Sequence, residues 1–445
     1  MAELNDLCPR SSLSQEIFYQ IRKIFPQPSD RATLGLMEPT PNSPQRSALG
    51  VTALAYFPAV LCMMTVGVIV PFIGALSADL ATTAPQIGLS IALFSLPAAI
   101  LATMGGGLID KYGVRRSLLC EAGAAALGSL WASQAHSLLS LDCAMVLAGV
   151  GFGGMCVTSP LLLIATLTAG LRIRAMSFWS TYAPTGYAAG LLLTVPFSAA
   201  GNWRMALLVH AGLMGSAFVA LLIFVPRVAA VADEPRDSFG ETFARVWSVV
   251  REPRALRLGI AVALPNAVSY GTSISAPAYL ARVHHLSMAS SSATVAFAKI
   301  VAMIIGGTSM GYLLSRAVNT TLLFAVMVVI GLLAQTLLFL PASGMMLASV
   351  ALVLWLFAFG GMSGGGMTLL PSVAPDPART GPASGLVNQF ISLASFATPS
   401  IWLALSSGMQ YVTLAGACLI VSLIALPSAK PLVKLTGRAD LQPHP

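Results

Sequence analysis

Between Arg46 and Asp79 the chain runs for 32 residues without a charged side chain. Hydrocarbon offers no partner for backbone N–H and C=O groups, so a stretch of that length must satisfy them internally, as a helix. About 20 such residues cross a bilayer core. Comparable runs follow to the end of the chain. They are long and do not alternate, which excludes the strands of a barrel. With 56% hydrophobic and only 9% charged residues among 445, the composition is far from the ~25% charge of soluble domains. The chain reads as an all-α membrane protein.

Twelve transmembrane helices are expected, over 50–76, 86–109, 117–137, 142–168, 175–199, 204–226, 256–280, 289–314, 320–341, 345–370, 380–404 and 410–428. Of 24 Lys and Arg, all but Arg204, Arg282 and Lys299 fall on one side if both termini are cytoplasmic. That asymmetry orients multi-pass chains. The expected organisation is a cytoplasmic tail over 1–48, a six-helix bundle over 49–226, a cytoplasmic linker over 227–255, a second six-helix bundle over 256–428 and a cytoplasmic tail over 429–445. The first tail is polar and Pro-rich; a short interfacial helix carrying Ile17, Phe18, Ile21, Ile24 and Phe25 on one face is the alternative. In the linker, Ser238 and Glu241 have capping-box spacing, and Phe239, Phe243, Val246, Trp247 and Val250 form a helical stripe. This predicts an amphipathic helix under the membrane. Loop topology accounts for the net charge of +8 without a nucleic-acid partner. Six scattered cysteines lack C-x-x-C spacing, so neither a metal nor a disulfide is expected of them; no cofactor is expected either.

One loop concentrates charge: Gly106-Gly107-Leu108-Ile109-Asp110-Lys111-Tyr112-Gly113-Val114-Arg115-Arg116. Its glycines permit positive φ and close approach, and its charges confine it to a membrane face. It resembles the loop between the second and third helices of the major facilitator superfamily, G-x-L-x-D-[RK]-x-G-[RK]-[RK]. Gly106, Leu108, Asp110, Lys111, Gly113 and Arg115 match, Val114 replaces a base, and Arg116 follows. The resemblance covers roughly residues 49–428. It implies two six-helix bundles with solute held between them, a monomer, and a gating role for Gly106, Asp110, Lys111, Gly113, Arg115 and Arg116. In that family the acid, here Asp110, meets the start of the eleventh helix and latches the cytoplasmic side. The halves repeat: Gly311-Tyr312-Leu313-Leu314-Ser315-Arg316 follows the loop by 205 positions, and Phe359-Gly360-Gly361-Met362 echoes Phe152-Gly153-Gly154-Met155. Ser315 and Val318 replace the acid and the glycine in the second copy, so the gate is expected to be asymmetric.

Pro184 in the fifth span frees a carbonyl and kinks the helix, while Gly186 and Gly190 offer a small-x-x-x-small face to a neighbour. Pro399 gives the eleventh span a matching break. Lys299 lies about ten residues, or ~15 Å, into the eighth span. A charge at that depth marks a substrate or ion pathway, and no acidic residue is placed deep in any expected span. Lys299 therefore calls for an anionic solute; a structural or proton-switching lysine is the alternative. Asn266, Tyr270 and Ser273 share a face of the seventh span. Asn388 and Gln389 in the eleventh and Tyr182 in the fifth complete the candidate binding residues. Glu121, near the start of the third span, is a candidate ion-pair partner for Arg172 or Arg174. Met145 stands where proton-coupled members of the resembling family carry an Arg, which leaves a coupling proton open.

The expected function is secondary transport of a small anion by alternating access, in a plasma membrane of the bacterial inner-membrane kind. The overall look is similar to the cyanate- and organic-anion-type permeases of the superfamily. The runner-up is efflux of neutral or lipophilic compounds. No hydrolase, zinc-protease or phosphate-loop motif supports an enzyme.

Overall fold

The computed structural model describes residues 48–226, 252–315, 319–373 and 380–427; within them the side chains at 102–108, 110, 111 and 380–385, among others, lie outside the description. The tails and the amphipathic linker predicted above fall outside these residues. The described chain is helical, with no strand among the described residues. The helices are α1 (Ala48–Ile69), α2 (Ile73–Asp79), α3 (Ala84–Tyr112), α4 (Val114–Ser133), α5 (Leu138–Thr166), α6 (Ala169–Trp179), α7 (Tyr182–Leu193), α8 (Val195–Ser198) and α9 (Trp203–Phe224). After the linker come α10 (Pro253–Val283), α11 (Met288–Ser315), α12 (Thr320–Phe339), α13 (Met345–Thr368), α14 (Leu370–Val373), α15 (Thr380–Ala404) and α16 (Gly408–Ala425).

Helix starts follow from capping chemistry. Gln86 Oε1 accepts from the Thr83 N–H in a capping box that opens α3. Ser137 Oγ accepts from Ser140 N–H at α5, and Asn202 Oδ1 from Met205 N–H at α9. Each side chain satisfies a backbone donor that the first helical turn leaves free. The charged loop contracts to one residue. The helical ladder runs through Tyr112, Gly113 turns the chain at φ +81°, and α4 starts at Val114. Gly106 and Gly107 are thus helical, and only Gly113 adopts the left-handed backbone that glycine tolerates best.

Eight segments are long and apolar enough to span a membrane by length and composition: Ala48–Asp79, Ala84–Leu101, Leu138–Thr166, Trp203–Phe224, Met288–Leu314, Thr320–Phe339, Met345–Thr368 and Gly408–Ala425. The other expected spans differ for visible reasons. α4 carries Arg115, Arg116 and Glu121; the uncharged stretch of α10 between Arg257 and Arg282 holds Asn266, Ser269, Tyr270, Thr272, Ser273 and Ser275; α15 is rich in Ser, Thr, Asn and Gln. The expected fifth span is broken into α6, α7 and α8. Pro184 has no N–H for the Ser180 carbonyl, and the chain turns there, with Thr181 Oγ1 donating to Phe178 O at 2.8 Å.

Packing is close where glycine meets backbone. A side chain at Gly186 or Gly190 of α7 would collide with the Val60 or Met64 carbonyl of α1, and one at Gly67 of α1 with the Tyr187 carbonyl. Gly153 of α5 lies against Pro97 and Ala98 of α3; Gly360 of α13 lies against Met303 of α11. Met303 follows Ala98 by 205 positions and Gly360 follows Gly153 by 207, so the sequence repeat returns as a repeated helix contact. α3 also packs along α15, and α10 along α15 and α16.

Candidate functional site

Lys299 stands eleven residues into α11, ~16 Å from its start. It is 7% exposed. Its Nζ donates to Ser273 Oγ of α10 at 2.7 Å and lies 4.2 Å from the centroid of the Tyr187 ring of α7. The Tyr187 hydroxyl donates to Ser273 O at 2.6 Å, and Ser273 Oγ donates to Ser269 O at 2.6 Å. Three helices therefore converge on one ammonium. Among the described residues, no carboxylate pairs with it; their recorded ion pair is Arg204–Asp79 at 3.0 Å, between α9 and α2. An unpaired buried charge is costly, and a ring face with one hydroxyl compensates only part of that cost.

The other candidates divide. Tyr270 is buried one turn before Ser273 and interacts with Ser95 of α3. Asn266 Nδ2 donates to Ser395 Oγ of α15 at 3.1 Å. Asn388 is exposed and Gln389 half-buried on α15. Tyr182 joins a separate group: its hydroxyl is 3.1 Å from Cys156 Sγ and its ring 4.6 Å from that of Trp179. Phe94, at the position equivalent to Lys299 in the first half, stacks on Phe152 at 4.9 Å.

Among the gating candidates, the side chains of Gly106, Asp110 and Lys111 lie outside the described residues. Arg116 is exposed. Arg115 closes the end of α9, with Nη2 donating to Leu222 O at 2.7 Å and Nε to Val225 O at 3.2 Å. Arg257 does the same at α16, through Ala425 O at 3.2 Å and Ile424 O at 3.1 Å. Pro399 meets Gly88 of α3 so closely that an added Cβ there would sit 2.8 Å from the Pro399 carbonyl oxygen.

Two readings are corrected. Glu121 is half-buried inside the N-terminal half, and Oε1 accepts from Thr158 Oγ1 at 2.6 Å rather than from Arg172 or Arg174. A carboxyl does lie within the helical region, because α4 starts at Val114 and sets Glu121 two turns in. Sequence reasoning also passed over Tyr187. Its signal was an aromatic side chain set between Gly186 and Gly190.

The fold is that of a multi-pass α-helical membrane protein. The model of the family described as Major Facilitator Superfamily matches residues 53–399, and the chain belongs to that family. It is 27% identical over 174 residues to the "Probable sulfoacetate transporter SauU" of Cupriavidus necator, covering 36% of this chain and 37% of that protein. It is 32% identical over 131 residues to the "Arabinose-proton symporter" of Escherichia coli K12, covering 29% and 28%. The chain thus spans about a third of the length of the curated relatives it matches. Among solved structures, the nucleoside transporter NupG superposes with TM-score 0.67 at 12% identity, covering 85% of this chain and 98% of that one. A bacterial homologue of the lysosomal transporter Spinster, inward-facing and unoccupied, gives TM-score 0.65 at 14%, covering 85% and 94%. These two likenesses concern the fold.

Proposed function

We propose that the protein is a secondary carrier that moves a small anionic solute across the membrane by alternating access. The observation that carries this reading is Lys299: a buried ammonium at mid-helix, held by Ser273 and Tyr187 and facing no carboxylate among the described residues. An anion that enters beside it supplies the missing counter-charge. The family, and a relative named for an organic anion, support the same reading.

In this reading the chain forms twelve spans in two bundles, over 49–226 and 256–428, with both termini cytoplasmic, as a monomer in a plasma membrane. Gly88–Pro399 then joins the bundles on the outer side and Tyr187–Ser273 joins them at the depth of Lys299, and solute reaches Lys299 from the cytoplasmic side. Asn266, Tyr270, Asn388, Gln389 and Tyr182 are the further candidates for solute contact. Asp110, with Lys111 and Arg116, latches the opposite face when it closes. Movement between the two states bends α7 at Pro184 and α15 at Pro399. The runner-up, a carrier of neutral or lipophilic compounds, makes Lys299 a structural residue.

Counterflow into vesicles of reconstituted protein tests the proposal, with sulfoacetate and a panel of small carboxylates and inorganic anions, and Lys299→Gln beside wild type. Saturable anion exchange that the substitution abolishes is the expected result. Exchange of sugars or nucleosides alone, or an unaffected Lys299→Gln, overturns it.

A further inference from the structure

A cavity of about 520 Å³ opens between α3, α4 and α5, away from Lys299. Its walls are apolar: Leu101 and Ile109 from α3, Leu119 from α4, Val150 and Val157 from α5. Val150 is exposed midway along α5, which in the twelve-span reading above faces lipid. The cavity therefore opens sideways into the bilayer. One acid stands in this wall. Glu121 lies beside Gly154, which leaves it room: a side chain at Gly154 would displace the carboxyl group. Thr158 occupies Oε1, while Oε2 is buried with no hydrogen-bond partner among the described residues.

We propose that this cavity binds lipophilic cations that partition in from the membrane, with Glu121 as their charge partner. The volume and the apolar lining suit a small organic molecule held by one polar group. Among the described residues, one oxygen of the carboxyl has no hydrogen-bond partner and no base is paired with it. The groups that face it from its neighbours are Thr158 and Cys156 of α5 and Cys62 of α1. Tyr182 of α7 is engaged with Cys156. On the α9 side of α4 lies Phe218, against Gly123. Arg116 is exposed in the lining on the loop side, five residues before Glu121 along α4. Being exposed, it is screened by solvent and salt. A lone anionic site inside an apolar wall favours a diffuse organic cation over a hydrated metal ion, because the former brings little solvation to lose.

The probe is tetraphenylphosphonium, a fixed cation without an exchangeable proton, with triphenylphosphine oxide as the neutral analogue. Binding is measured by equilibrium dialysis on full-length protein in lipid nanodiscs, with empty nanodiscs as background. Saturable binding of the cation is expected, weakened more than about tenfold by Glu121→Gln. The neutral analogue should bind weakly and equally to both. Val157→Trp fills the cavity without touching the charge and should also abolish saturable binding; it carries the test if Glu121→Gln does not fold. Saturable binding that survives Val157→Trp, binding indifferent to Glu121→Gln, or partition no greater than into empty nanodiscs each overturns the proposal. None of these outcomes depends on the anion exchange assay, so either reading can fail alone.

Discussion

Lys299 and Tyr187 meet face-on: the ammonium lies 4.2 Å from the ring centroid, while the hydroxyl of the same ring reaches 2.6 Å to Ser273 O. The ring body and its polar tip therefore act on different partners, and two substitutions separate them. Tyr187→Phe keeps the ring under Lys299 and loses one buried hydrogen bond, at a cost of about 0.5–1.5 kcal/mol. Tyr187→Leu also removes the ring face, about a further 0.5–2 kcal/mol. Thermal unfolding in detergent should rank wild type, Tyr187→Phe and Tyr187→Leu in that order; equal midpoints for the two variants would show that the ring contact contributes nothing.

The contact of α1 with α7 leaves no room for a methyl group. Gly67→Ala places a Cβ against the Tyr187 carbonyl, in backbone that cannot step aside cheaply. Overpacking of this kind costs about 1–3 kcal/mol. Gly74→Ala, in open space on α2, is the matched control. The unfolding midpoint should fall for the first and stay near wild type for the second.

Gly88 and Pro399 tie α3 to α15. In a carrier that alternates, a wedge at this contact favours the state in which these ends part. Gly88→Val should speed labelling of a cysteine placed at Ser400 by a membrane-impermeant thiol reagent. An unchanged labelling rate would mean that the two ends do not separate.

The acid of the charged loop is tested by Asp110→Asn. Transport should be lost while membrane insertion and yield stay normal. Uptake at the wild-type rate would remove the latch from the mechanism.

Much of this was legible in sequence, for physical reasons. Long uncharged runs have only one way to satisfy their backbone in lipid, so most helices lie within a few residues of their expected bounds; the eleventh, Thr380–Ala404, coincides with its expectation. Pro184 broke its span because a missing N–H is a local fact. The mid-helix position of Lys299 followed from the bounds of its uncharged run. What the sequence could not convey was lateral placement. That Tyr187 lies under Lys299, or that Glu121 turns to Thr158, depends on how helices far apart in the chain rotate against one another. Arg115 was read as part of a gate from its loop; only the packed neighbour reveals the carbonyls of α9 in its grasp.

That guanidinium has two successive lives. While the chain is being threaded into the membrane, α9 is not yet a neighbour, and Arg115 is simply a charge that resists entering hydrocarbon. Once the helices have assembled, its fork closes on Leu222 O and Val225 O. A lysine would serve equally well in the first stage but lacks the planar fork of the second. An Arg115→Lys chain should therefore be inserted in the correct orientation and then fray at the end of α9: a fault of assembly in a protein whose address was read without error.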